Sequence, residues 1–109
     1  MNWLDLLAYF FGGVFLCNAI PHGVGGLMGQ AFQTPFAKPP GRGLSSSTVN
    51  VLWGFFNAAV AYALLGHVGH FSWKDTQDVL AGGAGALLIG LLSARHFGRF
   101  HGGNLTERS

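Results

Sequence analysis

Charge is so sparse along this chain that its gaps set the pattern. No charged residue occurs in the 32 positions between Asp5 and Lys38, nor in the 31 between Arg42 and Lys74. A third gap of 16 residues separates Asp78 from Arg95. A helix needs about 20 mostly apolar residues to cross a hydrocarbon core about 30 Å thick. The first two gaps meet that length, and the third meets it once Asp78 and Arg95 extend their polar ends toward the headgroups. The pattern therefore predicts an all-α membrane protein with three transmembrane helices, over about residues 3–22, 48–68 and 76–97. A 25-residue Pro/Gly-rich loop, 23–47, joins the first two helices, and a polar tail, 102–109, ends the chain in a frayed segment.

Local signals set the ends. Trp3 suits an interface, and Asp5 complements the positive end of the first helix dipole. Pro21 is expected to disrupt that helix, because its ring clashes with the Cys17 carbonyl and it lacks an N–H. Ser45, Ser46, Ser47 and Thr48 offer hydroxyls to the free amides at the start of the second helix. The loop holds Pro35, Pro39, Pro40, Gly41 and Gly43, which disfavour helix in its second half. Met28, Phe32, Phe36 and Leu44 make it too apolar for a solvated loop. It is expected to lie along the interface or fold back on the bundle, where protein or water must satisfy its backbone.

Composition agrees. Only 9% of the 109 residues are charged, against roughly 25% in soluble domains. The net charge of +2 carries no basic run of the kind that binds nucleic acid. Cys17 is the single cysteine, so an intramolecular disulfide is impossible. The first residues lack the basic region of a secretory signal, and the first hydrophobic segment reads as a retained helix. Three spans place the first loop and the C-terminus on one side, with Lys38, Arg42, Arg95, Arg99 and Arg108. The other side has only Lys74. Five against one puts the N-terminus outside and the C-terminus in the cytoplasm. No internal repeat suggests an inverted-repeat transporter.

Candidate chemistry gathers at the loop side. Asn18 and His22 share a face of the first helix, and Asn50 and Asn57 share one on the second, at matching depth. A cluster Asn18–His22–Asn50–Asn57 between the helices reads as interhelical glue, with an Asn amide expected to serve the Cys17 carbonyl. The alternative is a site for the polar group of a ligand. Lys38, Arg42, Ser45 and Ser46, beside a helix start, suit anionic headgroups or a protein partner. No zinc spacing and no motif for covalent haem attachment is present, so no metal is assigned. A His22–His96 axial pair is the one haem arrangement considered. Gly82, Ala86, Gly90 and Ala94 form a small-residue stripe on the third helix. It packs either on Gly12 and Gly13 within the chain or on a partner.

Taken together, Asn18-Ala19-Ile20-Pro21-His22, Thr34-Pro35-Phe36-Ala37, Pro39-Pro40-Gly41-Arg42-Gly43-Leu44-Ser45-Ser46 and Asn50-Val51-Leu52-Trp53-Gly54-Phe55-Phe56-Asn57 resemble a group of small uncharacterised bacterial membrane proteins. The resemblance implies a bacterial inner membrane and brings no activity, cofactor or catalytic residue. The function expected from the whole is a non-enzymatic accessory subunit docked to a larger membrane complex, respiratory, photosynthetic or for transport. The alternative is a binder or enzyme for a lipid-like or isoprenoid molecule at the cytoplasmic leaflet. Partners expected are membrane lipids and a membrane protein or further copies of this chain, with no nucleic acid.

Overall fold

A computed structural model describes residues 2–103. Its elements in order are α1 (Trp3–Leu27), β1 (Phe32–Gln33), β2 (Leu44–Ser45), α2 (Ser47–Ala63) and α3 (Thr76–His101). A π-helical turn, Leu64–Val68, continues α2 directly. Three helices, Trp3–Leu27, Ser47–Val68 and Thr76–His101, are long and apolar enough to cross a membrane.

Each helix starts where its sequence offers an acceptor for a free amide. The Asn2 carboxamide accepts from Leu4 N at 3.0 Å, Ser46 Oγ from Val49 N at 3.2 Å, and Asp75 Oδ1 from Gln77 N at 3.0 Å. α3 ends at Gly102, whose φ of 80° is the left-handed conformation that glycine adopts without strain. The expected frayed tail lies outside the described residues beyond Gly103.

Three expectations are corrected. Pro21 sits inside α1 without ending it, and the helix runs on to Leu27. Interior proline is tolerated in apolar helices when neighbouring elements pack around the opened turn. Here Gly54 of α2 lies against Ala19 and Gly23, on either side of Pro21. The loop is consequently shorter than 23–47, because α1 takes residues 23–27 and α2 takes Ser47. What remains, 28–46, is folded. It carries a two-stranded antiparallel ladder pairing Phe32 with Ser45 and Gln33 with Leu44. We call this segment the cap. α3 also runs four residues past Phe97, to His101.

α1 is the central helix, packed on both α2 and α3. Glycines bring the backbones together. A Cβ at Gly13 would collide with the Gly82 carbonyl, and one at Gly85 with the Phe10 carbonyl. Toward α2, a Cβ at Gly26 would stand 2.7 Å from Ser47 O, and one at Gly54 2.6 Å from Gly23 N. Removing side chains lets dispersion contacts form between backbones, the usual basis of helix association in lipid. The interior is correspondingly small and polar. Its buried apolar residues are Ala8, Tyr9, Ala37 and Ala61, while His22, Gln33, Thr34, Asn50, Asn57 and Asp78 are buried polar ones. Large apolar side chains such as Leu52, Phe55, Leu80, Leu87 and Leu91 face outward. That inversion of the soluble pattern is stable where the surroundings are as apolar as the side chains.

Candidate functional site: a polar seam closed by the cap

Asn50 lies one turn into α2 and is fully buried. Its amide nitrogen donates to Phe32 O at 3.1 Å, Ser45 O at 3.2 Å and Ser46 O at 3.0 Å. That fixes which end of the carboxamide is oxygen. Asn50 Oδ1 then accepts from His22 Nδ1 at 2.8 Å, so the imidazole carries its proton on Nδ1. One side chain thus joins α1, both strands of the cap and the start of α2.

Two turns deeper, Asn18 Nδ2 donates to Asn57 Oδ1 at 3.0 Å, and Asn57 Nδ2 donates to Trp53 O at 2.8 Å. The four residues read from the sequence as one cluster are therefore two rungs, His22–Asn50 and Asn18–Asn57. The Gly54 contact with Ala19 and Gly23 stands between them. The expected bond from an Asn amide to the Cys17 carbonyl is replaced by the second rung.

The cap is fastened from α3 as well. His96 Nε2 donates to Gly41 O at 2.7 Å, and His101 Nε2 donates to Gln33 Oε1 at 2.8 Å. Phe32 is the apolar plug. Its ring stacks on His101 at 4.8 Å between centroids and meets Phe97 at 4.7 Å and His22 edge-on at 5.4 Å. Inside the cap, buried Thr34 shares a hydroxyl–hydroxyl bond with Ser45 and receives Phe36 N on the same Oγ1 at 3.2 Å. Thr34 O accepts from Gly41 N at 2.8 Å. Ser45 and Ser46 thus have structural partners, while Lys38 and Arg42 are exposed. Phe32, Gln33, Thr34 and His101 belong to this site and escaped the sequence reading. Phe32 registered only as an apolar loop residue, and nothing local marks Gln33 or Thr34 for burial.

The donor set does not suit haem ligation by His22 and His96. His96 Nε2 is engaged by Gly41, and the Phe97 ring packs edge-on against both imidazoles, at 6.1 and 5.1 Å. Among the described residues no group of three or more His, Cys, Asp or Glu is placed to hold a metal ion. The small-residue stripe divides. Gly82 and Ala86 meet Gly13, Gly90 lies near Cys17, and Ala94 is exposed. Gly85, outside the predicted stripe, makes the closest approach to α1.

At the opposite end Tyr9, Asp5, Asp75, Asp78 and His70 line a polar cavity of ≈ 230 Å³, in which Asp78 accepts from Ser72 N at 3.0 Å. An apolar groove of ≈ 260 Å³ runs nearby, between Leu16, Leu65, Phe71, Trp73 and Val79.

Fold and site together define a three-helix chain of the membrane-spanning kind, with a polar seam between α1 and α2 closed by a clasped cap. No family model matches the chain, and no curated protein or solved structure shows significant similarity to it.

Proposed function

We propose that this chain is a non-enzymatic accessory subunit of a larger complex in a bacterial inner membrane. It crosses the bilayer three times, with the N-terminus outside and the cap on the cytoplasmic face. The observation that carries the reading is the engagement of Asn50, whose Oδ1 accepts from His22 and whose two N–H groups are shared among three backbone carbonyls, all within the chain. A seam wired in this way holds a shape. Supporting it, the outer surface is left to apolar side chains on every helix, including Leu80, Leu87 and Leu91 on α3. Such faces pack on lipid or on partner helices with equal ease, since neither contact displaces water. The assembly served is of the respiratory, photosynthetic or transport kind, each of which is built from packed membrane helices.

The test is native electrophoresis of the protein tagged at its natural expression level and extracted in mild detergent, followed by mass spectrometry of the band. A fixed stoichiometry with one membrane complex supports the reading. Migration as a partner-free homo-oligomer overturns it.

A further inference from the structure

We propose that the groove between the cap and α2 binds one anionic phospholipid, with an acyl chain along Val49, Leu52, Trp53 and Phe56 and the phosphate at Lys38 and Arg42. The inference goes beyond the subunit reading and does not depend on it.

The groove measures ≈ 290 Å³ and is walled by Phe36 of the cap and by Val49, Leu52, Trp53 and Phe56 of α2. Those α2 positions recur at i, i+3, i+4 and i+7, so they form one stripe along the helix for about 10 Å. An acyl chain in a bilayer lies in that direction. Along the wall Trp53 stacks on Phe56 with centroids 5.6 Å apart, and Phe36 stands edge-on to Trp53 at 4.9 Å. The indole N–H of Trp53 is buried and has no hydrogen-bond partner among the described residues.

The polar end of the groove has the matching charge. Lys38 follows Phe36 by two residues, which keeps their Cα atoms within about 8 Å. Arg42 lies in the same turn, closed by Arg42 N and Gly43 N donating to Pro39 O at 3.0 and 2.8 Å. Both cations are exposed. Among the described residues the carboxylates Asp5, Asp75 and Asp78 all line the cavity at the far end of the bundle, so none neutralises the cap. A zwitterionic headgroup would bring its own cation to this turn, whereas an anionic one brings only the phosphate charge.

Trp3 and Trp73 are exposed and lie away from the groove, so Trp3→Phe with Trp73→Phe leaves Trp53 as the only tryptophan, excited selectively at the red edge where tyrosine does not absorb. This protein is reconstituted into equal mixtures of phosphatidylglycerol and phosphatidylcholine, with brominated acyl chains on one lipid or the other. The expected result is stronger quenching by brominated phosphatidylglycerol, corresponding to a preference of about fivefold or more, the factor one cation near a membrane surface contributes. Adding Lys38→Gln and Arg42→Gln should bring the ratio to one with helix content unchanged by circular dichroism. Equal quenching in the parent, or a preference that survives the two Gln substitutions, overturns the proposal. If the single-tryptophan protein loses helix content, phosphatidylglycerol retained per chain is compared between the natural protein and K38Q/R42Q. Equal retention there overturns it too.

Discussion

His22 Nδ1 stands 2.8 Å from Asn50 Oδ1, and this bond ties the loop end of α1 to the residue that holds the cap. Both side chains are essentially sealed, with 2% and 0% of their surfaces exposed. The pair matters because each member is committed elsewhere. Asn50 reaches three backbone carbonyls, and the His22 ring lies among Phe32, Trp53 and Phe97.

The first prediction follows from counting what each asparagine satisfies. Asn50→Ala removes three hydrogen bonds, since two N–H groups are shared among three carbonyls and Oδ1 accepts from His22, and Asn57→Ala removes two. At about 0.6 kcal/mol for a hydrogen bond inside a membrane protein, the losses are about 1.8 and about 1.2 kcal/mol. Titration with dodecyl sulfate, followed by tryptophan fluorescence, measures both. Equal losses at the two sites would contradict the assignment of Asn50 as the hub.

A second prediction concerns the α1–α3 contact. Gly85→Ala puts a methyl group into the Phe10 carbonyl, which is backbone and cannot rotate away, so the helices must separate. Overpacking of this kind costs about 1–3 kcal/mol. Gly83→Ala, on the same helix and open around its Cα, should leave the same unfolding midpoint unchanged or slightly raised. Matching effects at the two glycines would show that α3 does not pack on α1 through Gly85.

The three helices were legible because the signal for them is length without charge, which needs no knowledge of partners. That Asn18 and His22 face Asn50 and Asn57 between α1 and α2 was also legible, because residues four and seven apart return to one helix face, but their division into two rungs was not. Pro21 was misread because its local penalty is real in isolation and is offset by Gly54, more than thirty residues away. That the loop folds back on the bundle was one of its two expected placements, but the contacts that hold it there were not legible, for a similar reason. Gln33 and Thr34 look like loop residues until His101 and Ser45 arrive from distant parts of the chain to satisfy them. Gly85 was passed over for the four-residue stripe beginning at Gly82, since spacing alone does not fix which side of α3 meets α1.

Orientation supplies a third prediction, drawn from the excess of Lys and Arg on the cap side. In a Cys17→Ser background, Lys74→Cys should react with an impermeant maleimide on intact cells. Gln30→Cys, exposed at the start of the cap, should react only after the membrane is opened. The reverse pattern would place the cap outside and remove the cytoplasmic assignment.

The last prediction asks whether α3 holds the cap shut. His96 and His101 each donate one hydrogen bond to it, to Gly41 O and Gln33 Oε1. In the Cys17→Ser background, Ala37→Cys places a thiol at a buried cap position. That thiol reacts only when the cap opens, so its labelling rate reports the opening equilibrium. Replacing both histidines by Ala removes two bonds of about 0.6 kcal/mol each, which should raise the rate about eightfold. Asn50 still holds both strands from α2, so helix content should not change. An unaltered rate would mean that the Asn50 bonds and the Thr34–Ser45 pair close the cap alone, with the two histidines merely resting against it.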